Sequence, residues 1–131
     1  MQMTGPGHPL RVLAVEDDNE LREFYGMILR EEGHQVRLAR NGLEAMDHLD
    51  WAPDLILLDL MMPVMDGYEF LRQLRASPKG ASIPVLVLSA SLPPGRATLR
   101  GAQAVLRKPF DFDRLLRTIE MYGHKPPAGP N

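Results

Sequence analysis

With 131 residues, 44% of them hydrophobic, the chain is long enough for one domain with a core of its own. A formal net charge of −2 argues against a domain that binds nucleic acid mainly through phosphate attraction, and the absence of cysteine excludes disulfides and thiolate zinc sites. Met1–Pro9 lacks the basic and apolar regions of a signal peptide and no apolar run reaches the length of a membrane span, so a cytoplasmic protein with no membrane partner is expected.

Breaker residues divide the chain into a flexible Gly- and Pro-rich segment over 1–9, a folded domain over 10–122, and a disordered Pro/Gly-rich tail over 123–131. Within the domain, Leu10–Val15 reads as a buried strand. Leu21, Phe24, Tyr25 and Ile28 follow at helical spacing, and Gly33 stops that helix. Gln35–Ala39 is a second strand candidate, and Asn41 suits the cap of a helix carrying Leu43, Met46 and Leu49. Leu55–Leu58 is wholly apolar, as a central parallel strand covered on both faces should be. Asp66 with Glu69 has the form of a capping box ahead of a helix burying Phe70, Leu71 and Leu74. Pro84 opens a fourth strand over Val85–Leu88, a short helix is placed near Gly95–Arg100, and Ala104–Leu106 forms a brief fifth strand. Asp111 caps a last helix with Leu115, Leu116 and Ile119 inside.

Strand and helix therefore alternate five times, the pattern of an α/β fold with a doubly wound parallel sheet. Ligands of such sheets bind at the carboxyl ends of the strands. There the first strand runs into Glu16, Asp17 and Asp18, the third ends at Asp59, the fourth at Ser89, and Lys108 follows the fifth. Clustered carboxylates repel one another, and a hard cation such as Mg²⁺ relieves that repulsion. Asp59 beside such an ion is placed to act as a nucleophile toward a phosphoryl group. Lys108 would neutralise its oxygens, and the Ser89 hydroxyl would donate to one of them.

Four segments resemble bacterial two-component response-regulator receiver domains of the CheY-like kind: VLAVEDDNELRE at the start, DLILLDLMMPVMDG over Asp54–Gly67, VLVLSAS at the fourth strand and RKPF around Lys108. The intervals from Asp17 to Asp59 and from Asp59 to Ser89 fit the family's spacing, and the match covers nearly the whole folded part. The resemblance implies a five-stranded flavodoxin-like (βα)₅ fold with strand order 2-1-3-4-5. It makes Asp59 the phosphoacceptor, Glu16 and Asp17 the acidic pair, and Ser89 and Lys108 the phosphoryl-contacting residues. Mg²⁺, for which Mn²⁺ can substitute, would be held by Asp17 directly, Glu16 partly through water, Asp59, and the backbone carbonyl of Met61. A cis peptide is implied before Pro109, which with Gly67 shapes the structural turns. The phosphoryl donor would be a sensor histidine kinase or a histidine phosphotransfer protein, and the output an unidentified protein. The chain would be a stand-alone or excised receiver, with no room in 10–122 for an output domain and no direct nucleic-acid contact.

The chain departs from the family at three places. Val105 stands where an aromatic switch residue is usual and, being short and stiff, cannot follow Ser89 by a large swing. The stretch between Ser89 and Gly101 is about one helical turn short and contains Pro93, Pro94 and Gly95, so an irregular fourth helix is expected and no dimer mode is transferred. Met61, beside the phosphosite with Ser91, has no group to orient water, which predicts slow self-dephosphorylation and no other enzymatic turnover.

Blander readings exist for each residue. Asp59 alone is a plausible turn residue, and Glu16, Asp17 and Asp18 a solvated helix start in which Asp18 is the cap. Ser89 alone is an ordinary strand-end hydroxyl, and Lys108, like Arg107, an ordinary surface cation. Their joint placement favours function. Met61, Met62 and Met65 read as packing and loop residues. Trp51 reads as cover for a helix end, and His8, His34, His48 and His124, without ligand spacing, as surface groups. Two other functions compete: a receiver-like module that binds partners constitutively, which Val105 motivates, and an aspartate-nucleophile phosphatase, which lacks its second acid because Met61 occupies that position.

Overall fold

The structure, a computed structural model, describes residues 9–60, 67–89 and 101–123. The segment up to residue 8 expected to be flexible, His8, Met61, Met62, Met65, Asp66, Ser91, the irregular helix expected near Pro93, and the expected tail from residue 124 on lie outside the described residues; Gly123, expected to begin that tail, is instead the buried last residue of the final helix.

Five strands form one parallel sheet: β1 (Arg11–Val15), β2 (Gln35–Ala39), β3 (Leu55–Asp59), β4 (Val85–Ser89) and β5 (Ala104–Arg107). Their order is β2-β1-β3-β4-β5, the flavodoxin-like arrangement that the family resemblance implies. The strands read as continuous apolar runs because successive side chains go to opposite faces and both faces are covered. Leu13, Val15, Ile56, Leu58, Val85 and Val87 pack beneath Ala45 and Leu49 and beneath Phe70, Leu71 and Leu74. Val12, Ala14, Leu55, Leu57, Leu86 and Leu88 meet Tyr25, Leu29, Leu115 and Ile119 on the other face. The edge strand β2 instead alternates between exposed and half-buried positions until Ala39, which is buried.

The helices are α1 (Asn19–Glu31), α2 (Gly42–Asp47), α3 (Gly67–Ala76) and α4 (Phe112–Gly123), with a 3₁₀ turn over Leu49–Trp51. The starts of α1, α2 and α4 follow the capping residues read from the sequence. Asp18 accepts from the Glu20 N–H, Asn41 from Glu44, and Asp111 from Arg114, satisfying donors that the first helical turn leaves free. Gly33 takes φ +95° after α1, a left-handed turn that glycine enters at little cost. No helix among the described residues is long and apolar enough to cross a membrane.

Three expectations are corrected. The buried stripe of α1 is Arg22, Tyr25, Gly26 and Leu29, while Phe24 is exposed and lies edge-on to Phe112. The helix packs toward β2 through Gly26, where an added Cβ would meet Leu38 at 3.4 Å and the Arg30 guanidinium at 3.1 Å. In α2, Leu43 points outward and Ala45 takes its place beneath the helix. His34 is buried, not a surface group, and its Nδ1 accepts the Leu10 N–H at 3.1 Å. A backbone donor entering β1 needed an acceptor there, and the turn after α1 supplies one.

Candidate functional site

Parallel register brings the first two acids together. Val15 lies opposite Leu58, so one residue further along Glu16 stands beside Asp59. The Glu16 N–H extends the β1–β2 ladder to Ala39 O at 3.0 Å, which fixes its backbone before the chain turns into α1. Lys108 arrives from β5. Its N–H donates to Ser89 O at 2.7 Å, and the Lys108–Pro109 peptide is cis, as the turn was expected to be. The Lys108 ammonium then lies 3.3 Å from Glu16 Oε1 and 4.0 Å from Asp59 Oδ1.

One carboxylate oxygen from each of Glu16, Asp17 and Asp59 falls within 4.8 Å of the other two. Glu16 and Asp59 are buried, and Asp17 is exposed at the mouth. This asymmetry is electrostatically tense. Burial, followed by the charge of Asp59, raises the Glu16 carboxyl from 4.5 to about 7, although Lys108 and the Asp18 amide pull it down. The same acids reach Tyr25 underneath, whose hydroxyl is pushed up by burial and then by Glu16, Asp59 and Asp18. That hydroxyl has no hydrogen-bond partner among the described residues.

The donor set fits a hard divalent cation. It is all oxygen, compact, open on the Asp17 side, and carries more negative charge than one ammonium offsets. Of the other residues singled out in the sequence, Ser89 is fully buried at the end of β4, in register with Arg107. Val105 is half-buried and packs against the core, in register with Val87. Gly67 starts α3 hard against the end of β3. Its N–H donates to Leu60 O at 2.9 Å, and a Cβ there would come within 2.6 Å of Leu60 Cα and 2.9 Å of Asp59 O. Met61 lies outside the described residues.

Sequence reasoning missed Arg22. Its guanidinium is buried under the acidic loop, with Nη1 donating to Glu16 O at 2.9 Å and Asp17 O at 3.3 Å, and Nη2 donating to Asn19 Oδ1. The available signal was spacing, since Arg22 shares one helical stripe with Tyr25, Gly26 and Leu29.

Comparison with known proteins adds three findings. The family model described as response regulator receiver domain matches residues 12–120. The response regulator MprA of Mycobacterium sp. (strain KMS) is 40% identical over 129 residues, covering 94% of this chain and 55% of that protein. MprA of Mycobacterium leprae (strain TN) is 42% identical over 114 residues, covering 84% of this chain and 49% of its own. The chain thus spans about half the length of these relatives. Among solved structures, the receiver domain of sensor histidine kinase PA1611 from Pseudomonas aeruginosa PAO1 superposes with a TM-score of 0.80 at 29% identity, covering 88% of this chain and 98% of that one. It holds a magnesium ion coordinated in its active-site cleft. Vibrio cholerae chemotaxis protein CheY4 superposes with a TM-score of 0.78 at 33% identity, covering 88% of this chain and 99% of its own.

Proposed function

The chain belongs to the response-regulator receiver domain family, and from that membership we propose that Asp59 accepts a phosphoryl group from the phosphohistidine of a sensor histidine kinase or a histidine phosphotransfer protein. The observation that carries this reading is the convergence of the Glu16, Asp17 and Asp59 carboxylates within 4.8 Å beside the Lys108 ammonium. A carboxylate oxygen of Asp59 forms the new O–P bond as the N–P bond of the donor breaks, and the imidazole leaves with the bonding electrons and takes a proton. Lys108, already between Glu16 and Asp59, meets the charge on the phosphoryl oxygens, and the Ser89 hydroxyl donates to one of them. Glu16, Asp17 and Asp59, with the Met61 carbonyl, would hold Mg²⁺ or Mn²⁺, whose chemistry there is to neutralise the transferring group. Burial and the apolar strands around Asp59 keep water from competing, and Met61 offers nothing to orient it, so the modification is lost slowly. The modified surface then binds a downstream protein, in the cytoplasm where kinase and receiver meet.

The test is labelling with a small phosphodonor in Mg²⁺. Wild type should take up label, and Asp59→Asn and EDTA-treated protein should not; label persisting in Asp59→Asn would move the acceptor elsewhere. A second reading, constitutive partner binding, rests on Val105 in place of a ring that could swing. It predicts equal partner affinity for labelled protein and for Asp59→Asn, whereas a switch predicts a difference.

A further inference from the structure

We propose that Arg22 is a positioning residue for the cation site, acting through the backbone of the acidic loop; the inference rests on the metal reading above. An arginine buried in a helix face is unusual, and both terminal nitrogens of this one donate toward the acidic loop and the start of α1. Its guanidinium donates to the carbonyls of two successive acids, Glu16 and Asp17, and to the Asn19 side chain at the first position of α1. Nη1 holds both carbonyls while Nη2 ties the same planar guanidinium to Asn19, which constrains both peptide planes and with them the directions in which the Glu16 and Asp17 side chains leave the loop. Those side chains then meet Asp59 on the far side, with oxygens within 4.8 Å. Without the guanidinium these two carbonyls lose the donor that holds them beside three acids, so the acids would spread apart and the site would have to be reassembled when the ion arrives.

The sign of the effect separates positioning from charge. A guanidinium is a cation, so if it acted only through space its removal would let Mg²⁺ bind more tightly. If it positions the ligands, removal weakens Mg²⁺, by about tenfold or more as for other groups that orient metal ligands. The experiment is calorimetric titration of Mg²⁺ into wild type, Arg22→Met, Arg22→Lys and Asn19→Ala, well below their melting temperatures and with circular dichroism verifying the fold. Arg22→Met should bind about tenfold more weakly and Arg22→Lys, which keeps the charge and loses the fork, should fall between. Asn19→Ala, which removes one anchor of the guanidinium, should weaken binding a few-fold; it and Arg22→Lys carry the test if Arg22→Met does not fold. Folded variants that bind Mg²⁺ as wild type does, or more tightly, would overturn the proposal. Wild type failing to take up Mg²⁺ would overturn the metal reading itself, a result visible without any variant.

Discussion

At the scale of single residues, the site stores unfavourable electrostatics in Glu16. Its carboxyl is raised from 4.5 to about 7, first by burial and then by Asp59. Below about pH 4.5 it is protonated in both the folded and unfolded chain and costs nothing. Between there and pH 7 the unfolded chain ionises first, so stability falls as pH rises, and the full penalty persists above 7. The shift corresponds to a penalty on the order of 3 kcal/mol. Urea denaturation in EDTA should therefore show a lower midpoint at pH 7.5 than at pH 5.5, and Mg²⁺ should raise the midpoint most at the higher pH, where the acid must be ionised to bind it. The decisive comparison is with Glu16→Gln, which keeps His34 and so cancels its opposite slope: a wild-type midpoint in EDTA that does not fall relative to that variant as pH rises through this range would show that Glu16 is not the buried acid described. Lys108 lies on the other side of this balance, because its ammonium favours the ionised form of Glu16 and touches Asp59 as well.

At the scale of elements, two junctions hold the sheet in the register the site needs. At the end remote from the acids, His34 closes the turn between α1 and β2 and accepts the Leu10 N–H that leads into β1. Burial lowers its pKa, against the opposing fields of Glu32 and Glu120. The stability it contributes is present above its ordinary value of 6.5 and is lost as pH falls below it. Replacing His34 by Ala strands the Leu10 donor and should cost about 1–3 kcal/mol at pH 8. The difference from wild type should shrink as pH falls below 6.5, where the unfolded wild-type chain takes up a proton that the buried imidazole resists. Comparing two proteins that both contain Glu16 cancels its opposite slope. At the other end, α3 begins in contact with β3 through Gly67. Gly67→Ala forces a methyl into the backbone of Leu60 and Asp59. It should destabilise by about 1–3 kcal/mol and slow phosphodonor labelling by shifting Asp59. Unchanged melting and labelling would mean that α3 has freedom to retreat.

At the scale of the whole molecule, a single sheet separates two apolar layers, and each strand serves both. Phe70 is fully buried and anchors α3 in the layer with Leu58 and Val87, while Tyr25 and Leu115 anchor the opposite one. Phe70→Ala should remove about 3–5 kcal/mol, a large share of the stability of a domain this size, read as a fall in the urea midpoint. A shift below 1 kcal/mol would mean that the layer repacks around the void. The strands, the parallel topology, the caps Asp18, Asn41 and Asp111, and the placement of Glu16, Asp17, Asp59, Ser89 and Lys108 at strand ends were legible in the amino-acid sequence. Apolar runs, capping residues and strand termini are local signals that survive whatever the rest of the chain does. The roll of α1 that buries Arg22 and half-exposes Phe24, the outward turn of Leu43, the burial of His34 and the tight seat of Gly67 were decided by tertiary structure alone. Each depends on how closely separate segments approach one another, and that distance is set by the packing of both layers together; even the helical spacing that put Arg22 in the buried stripe of α1 did not by itself distinguish it from Phe24.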